Sequence, residues 1–222
     1  MTNTKFKEAD NSIFDTEPFA LDYHKNRLAV FKGEQILRDK IVFAGCSITE
    51  FGKWNELLKD RSIINRGIAG DNSFGLLNRI GDIINLQPSM LFISIGINDI
   101  AKDISTQVTV DNILELVKKL KESSPKTKIL VHSILPTNAS NRENKDEVIS
   151  HYNKNDKVVE LNRILEQNSQ ENDFIFIDLY SSFNETNGNL KLEFGDKDGL
   201  HLNAHGYKLW SDILKRNVLQ SQ

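Results

Sequence analysis

The chain has 222 residues, 39% of them hydrophobic and 27% charged, with a formal net charge of −3, which suits one domain of ordinary to large size. Lys and Arg are spread along the sequence rather than clustered, which excludes the basic footprint of a nucleic-acid binder. The single cysteine, Cys46, excludes an intrachain disulfide, and no apolar run approaches the ~20 residues of a membrane helix.

Residues 1–17 are polar and are expected to form a loose arm, with residues 18–222 as a single domain. The arm has no apolar stretch of the kind found in secretory signals, so a cytoplasmic location is expected. Leu21, Leu28, Val30, Phe31 and Ile36 give residues 18–38 a helical face. Short, β-branched, nearly continuous apolar runs follow at 41–45, 62–64, 90–95, 128–134 and 174–178, as expected of strands covered on both faces. Between and after them lie helical spacings: Val110, Ile113, Leu114, Val117 and Leu120; Val158, Leu161, Ile164 and Leu165; Tyr207, Trp210, Ile213 and Leu214. This alternation predicts a three-layer α/β/α sandwich with a five-stranded parallel sheet. Residues 137–157 are polar with little periodicity, and such a connection inside a domain is often a functional or a disordered loop.

In parallel sheets ligands bind beyond the carboxyl ends of the strands, so the residues there carry the chemistry. After the first strand comes Ser47 in Gly45-Cys46-Ser47-Ile48-Thr49-Glu50. Ser47 and Glu50 match a capping box, while a serine at a helix start is also surrounded by N–H donors that suit an oxyanion. After the second strand, Gly67 and Gly70 bracket a turn in Asn65-Arg66-Gly67-Ile68-Ala69-Gly70-Asp71-Asn72, where the Gly70 N–H is free of side-chain obstruction. Gly96-Ile97-Asn98-Asp99 follows the third strand and places a carboxamide donor at its end, although an Asx turn or a cap would serve equally well.

Asp198 and His201 lie three apart in a glycine-containing loop before the last helix. That spacing lets the carboxylate reach Nδ1 of the imidazole while Nε2 faces a serine. His201 and His205 are also four apart, but there is no HExxH pattern, and a structural place near the helix start is expected for His205. His24, His132 and His151 have no motif around them and are expected in packing or surface roles. Taken together, the four sites supply a nucleophile, oxyanion donors, a base and an orienting acid.

The blocks Gly45–Glu50, Asn65–Asp71, Gly96–Asp99 and Asp198–Asn203 closely resemble those of the SGNH hydrolase superfamily, the GDSL-like lipases and esterases. The Asn-Arg-Gly-Ile form of the second block is similar to the branch containing the catalytic subunits of platelet-activating-factor acetylhydrolase. The resemblance implies the flavodoxin-like SGNH fold, with Ser47 as nucleophile, His201 as base and Asp198 orienting it. It also implies an oxyanion hole made by the Ser47 and Gly70 N–H groups and the Asn98 side chain, and chemistry with no metal or organic cofactor. The family's usual residue before the serine is Asp, and here it is Cys46. The α/β-hydrolase elbow does not fit, because Thr49 stands where that motif needs glycine.

The expected activity is hydrolysis of carboxylic esters through an acyl-enzyme on Ser47, with a small-molecule ester as the partner and oligomeric state left open between monomer and homodimer. No sequence feature suggests an apolar lid, which favours short acyl groups, acetyl above all, on a sugar or small alcohol. The alternatives are a lysophospholipase or thioesterase, or a catalytically silent ligand-binding protein on the same fold.

Overall fold

The computed structural model describes residues 18–141 and 150–219. The arm expected over 1–17, and residues 142–149 of the polar connection, lie outside the described residues. Five strands form one sheet: β1 (Ile41–Gly45), β2 (Ile64–Gly67), β3 (Met90–Ser94), β4 (Lys128–His132) and β5 (Ile175–Ile177). All neighbours pair in parallel, in the order β2-β1-β3-β4-β5. The strand order reverses direction between β1 and β3, and in doubly wound sheets the crevice at that point is where ligands bind.

The helices are α1 (Pro18–Gly33), α2 (Ser47–Glu50), α3 (Trp54–Leu57), α4 (Ser73–Asn78), α5 (Ile80–Leu86), α6 (Ile97–Ala101), α7 (Thr106–Ser123), α8 (Asn155–Ser169), α9 (Tyr180–Phe183) and α10 (Ala204–Leu214). They flank the sheet on both sides. The α4, α5, α7 and α8 helices pack together as one group, and α3 packs on α10. The central strands are apolar and buried along nearly their whole length (Val42, Phe43, Ala44, Leu91, Phe92, Ile93, Leu130, Val131), as a sheet covered on two faces requires. On the α3–α10 side, Phe43 stacks on Trp54 and Phe92 with centroids 4.3 and 4.6 Å apart, and Trp210 stands edge-on to Trp54 and His132. Among the described residues, no helix is long and apolar enough to cross a membrane.

Two expectations need correction. The second strand runs over Ile64–Gly67, not 62–64. Its polar residues Asn65 and Arg66 escape an apolar count, yet β2 is an edge strand, where polar side chains find partners. Asn65 Nδ2 donates to the carbonyls of Thr49, Glu50 and Gly52, and Arg66 pairs with Glu34 at 2.6 Å. The helix expected over 18–38 stops at Gly33, and its apolar face is largely unburied: Phe31 is buried, whereas Leu21, Val30 and Ile36 are exposed. Polar contacts hold α1 instead. Tyr23 Oη and Arg27 Nε reach Glu50 at 2.5 and 2.9 Å, and His24 Nε2 lies 3.6 Å from Asp71.

Candidate active site

Strand β1 ends at Gly45, where a Cβ would collide with the Ser94 carbonyl and the Thr49 hydroxyl, so only glycine permits this sharp exit. Cys46 follows as N-cap of α2 in an extended conformation and makes no side-chain cap. The capping box expected of Ser47 and Glu50 does not form. The chain leaves the strand one residue before Ser47, so Ser47 is the first helical residue and its hydroxyl is not used as a cap. Glu50 turns away to accept from the Ala69 N–H at 2.6 Å and from Tyr23.

The freed Ser47 hydroxyl lies 2.8 Å from His201 Nε2, and His201 Nδ1 lies 2.5 Å from Asp198 Oδ2. A carboxylate can only accept, so Nδ1 carries the hydrogen and Nε2 is left bare to accept from Ser47. Asp198 Oδ1 also accepts from the N–H groups of Leu200 and His201, both at 2.9 Å. Burial alone would raise the Asp198 carboxyl. The His201 ring and these two N–H groups outweigh it and hold the group well below the usual carboxylate range. The loop geometry depends on Gly199, which has φ +67° and leaves no room for a Cβ beside the Asn138 carbonyl. The Asn138 N–H donates to the Gly199 carbonyl at 2.8 Å, which ties this loop to the exit of β4.

Opposite the histidine lie the expected oxyanion donors. Asn98 belongs to α6, just after β3, and Gly96, not Asn98, caps that helix. One Nδ2 hydrogen of Asn98 goes to the Asp71 carbonyl at 2.7 Å, which leaves the second for a ligand. The Ser47 and Gly70 N–H groups donate to no protein acceptor among the described residues. The loop carrying Gly70 is locked from behind. Arg79 donates to Asp71 Oδ2 at 2.7 Å and to the Gly45 carbonyl at 3.2 Å, joining the first and second blocks. Asp99 accepts from the Ser73 hydroxyl and N–H, joining the third block to the start of α4. Burial raises the Asp99 carboxyl to about 6 against the pull of those Ser73 hydrogen bonds.

Cys46 is buried, and burial pushes its thiol up to about 11, which disfavours the thiolate near neutral pH. His205 is exposed on the first turn of α10. Among the described residues, no group of three or more His, Cys, Asp and Glu side chains converges as a metal site.

The model of the GDSL-like lipase/acylhydrolase family matches residues 44–209, from the end of β1 into α10. The chain belongs to that family. No curated protein matches it. Among solved structures, it is similar to one described as a platelet activating factor from Streptococcus pneumonia, at 26% identity and a TM-score of 0.76 over 89% of this chain and 94% of that one. It is equally similar in fold to a GDSL-like lipase from Bacteroides thetaiotaomicron, at 25% identity and a TM-score of 0.76 over 92% of this chain and 100% of that one. An acetyl-xylooligosaccharide esterase from Geobacillus Stearmophilus shares the fold alone, at 20% identity and a TM-score of 0.61 over 82% and 95% of the two chains. This GDSL-like protein is an ester hydrolase with the SGNH α/β fold.

Sequence reasoning passed over one residue at this site. His151, which no motif surrounds, places Nε2 2.8 Å from Asn98 Oδ1. The only signal was indirect, the polar stretch 137–157 after β4. Its described parts touch the site residues, His151 at Asn98 and Tyr152 at the Asp198 carbonyl, and its last residues turn out to begin α8 at Asn155.

Proposed function

We propose that this acylhydrolase cleaves short-chain carboxylic esters, acetyl esters of a sugar or small alcohol above all, through an acyl-enzyme on Ser47. The observation that carries the reading is the unbroken path Ser47 Oγ–His201 Nε2, His201 Nδ1–Asp198 Oδ2, at 2.8 and 2.5 Å. In the first step His201 Nε2 takes the Ser47 proton as Oγ attacks the acyl carbonyl. The charge that develops on the carbonyl oxygen is received by the N–H groups of Ser47 and Gly70 and the second Nδ2 hydrogen of Asn98. Asp198, kept ionised by its hydrogen bonds, stabilises the imidazolium. The tetrahedral species collapses, the C–O bond to the alcohol breaks, and His201 returns its proton to the leaving oxygen. Water, deprotonated by His201, then attacks the acyl-serine; the acyl–Oγ bond breaks, His201 returns the proton to Ser47 Oγ, and the acid leaves.

Two features favour a small polar acceptor. The imidazole of His151 lies against Asn98, with Nε2 2.8 Å from Asn98 Oδ1. The exposed ring of Phe51 stands against His201 with centroids 5.3 Å apart and offers a flat surface to the C–H face of a sugar ring. A fluorophosphonate should label the wild type once, at Ser47. Ser47→Ala should lose labelling and p-nitrophenyl acetate hydrolysis by ~1,000-fold or more. Equal slow hydrolysis by wild type and variant would sink the reading in favour of a silent binding protein. A preference for long acyl chains or thioesters over acetyl would move it to a lysophospholipase or thioesterase.

A further inference from the structure

We propose that His151 is a positioning residue for the oxyanion hole, holding the Asn98 carboxamide with its free N–H turned toward the reacting carbonyl oxygen. The inference rests on the reading of Asn98 as an oxyanion donor and adds to it a residue that lies outside the four sequence blocks.

The hydrogen-bond directions are set by the chemistry of the partners. The Asp71 carbonyl only accepts, so the Asn98 nitrogen must face it and the Asn98 oxygen must face His151. That oxygen also only accepts, so His151 Nε2 carries the hydrogen and donates. Nδ1 is then the bare nitrogen, and it is shielded from water with no partner among the described residues. A charged imidazolium would leave a buried N–H there unsatisfied. Burial accordingly depresses the His151 pKa to about 4, with the nearby His201 acting in the same direction, so the neutral donor tautomer persists around neutral pH.

The ring is held by its surroundings, which is what a positioning group needs. Tyr152, the next residue, donates its hydroxyl to the backbone carbonyl of Asp198. Lys154 Nζ reaches the Ile100 and Ala101 carbonyls at the other end of α6, at 3.2 and 3.0 Å. Asn155 exchanges hydrogen bonds with the Thr137 backbone, accepting at 2.9 Å and donating at 2.8 Å. The short stretch 151–155 thus straps together the helix of the oxyanion donor, the loop of the triad acid and the exit of β4. Within that strap His151 does two things to Asn98. It satisfies a buried carbonyl oxygen, which removes the freedom of the amide to rotate. It also polarises the amide, which makes the remaining N–H a better donor.

The test is a double-mutant cycle on p-nitrophenyl acetate with His151→Phe and Asn98→Ala. Phe keeps the ring and loses the donor; His151→Ala removes the ring without adding bulk, and His151→Gln restores an N–H at the Nε2 position. All variants are first checked for an unchanged cooperative melt. We expect His151→Phe and His151→Ala to lower kcat about 10-fold with KM within ~2-fold, and His151→Gln to recover most of it. In the Asn98→Ala background, removing His151 should change kcat by less than ~2-fold. A full 10-fold loss in both backgrounds would overturn the proposal, because His151 would then act independently of Asn98. So would an unchanged kcat in the otherwise wild-type protein. A wild-type rate in Asn98→Ala alone would instead remove Asn98 from the oxyanion hole, a separate failure that the same cycle identifies.

Discussion

Arg79 meets Asp71 at 2.7 Å with both side chains almost wholly buried, and its other arm reaches the Gly45 carbonyl at 3.2 Å. This pair joins the strand that delivers Ser47 to the loop that delivers Gly70, while the Asp71 carbonyl holds Asn98. Ser47 and the proposed oxyanion donors are therefore fixed by one buried cluster.

Cutting one side of that pair should be costly. Arg79→Met leaves the Asp71 charge buried without its guanidinium and is expected to destabilise the fold by about 3–5 kcal/mol. Activity should fall further than the loss of folded protein accounts for. Urea unfolding together with kcat per folded molecule would measure both, and a loss under ~1 kcal/mol would show that water compensates Asp71.

Gly199→Ala tests the loop that carries Asp198, the proposed triad acid. The added methyl meets the Asn138 carbonyl at a backbone conformation with φ +67°, so either the loop or the β4 exit must shift. We expect ~1–3 kcal/mol of lost stability. Displacement of Asp198 and His201 should lower kcat by about 100-fold while Ser47 stays in place. A variant with the wild-type rate would show that the loop tolerates the shift.

Cys46 stands where the family usually has aspartate, and its environment makes a chemical prediction. Burial and a pKa pushed up to about 11 should leave the native thiol unreactive toward Ellman's reagent at pH 8. One thiol should appear on unfolding. Cys46→Ala should keep kcat within a few-fold, because the thiol makes no cap on α2. Rapid native labelling, or a large loss in the alanine variant, would give Cys46 a part in the chemistry.

His132 gives a pH dependence with a definite sign. It is fully buried between Phe92 and Trp210, neither ring nitrogen has a partner among the described residues, and burial lowers its pKa from 6.5 to about 3. Between those values the unfolded chain binds a proton that the native protein refuses. Its contribution to stability is therefore complete above about 6.5 and declines as the pH is lowered, by at most about 1.4 kcal/mol per pH unit. His132→Phe removes the titration and two unsatisfied polar atoms. The variant should melt higher than wild type at pH 7, and the gap should widen at pH 5. A constant gap would place the imidazole in contact with water.

Much of this was legible along the chain. The apolar runs at 41–45 and 90–95 announce buried strands because a two-faced sheet leaves no solvent side to mark with polar residues. The Asp198–His201 pair is local, three residues apart, and could be read as a unit. The expectations that failed have physical reasons as well. The polar residues of β2 hide an edge strand from an apolar count, and the spacing of α1 shows an apolar face without saying what covers it. The Ser47–Glu50 spacing fits a capping box, yet Glu50 has stronger partners in Ala69, Tyr23 and Arg27.

By themselves the residues offered the proposed reaction parts: a serine at a strand-to-helix exit, a histidine with its carboxylate, and donors after two other strands. Only the tertiary structure decided their meeting. Ser47 and His201 are 154 residues apart and Asn98 and His151 are 53, and both pairs close to 2.8 Å because the β2-β1-β3-β4-β5 order brings their strand ends to one crevice. Hydrogen bonds act over about 3 Å while the sequence records only local preference. The Asp198–His201 contact, built from short-range spacing, could therefore be anticipated. The grip of His151 on Asn98, which depends on where two distant segments pack, could not.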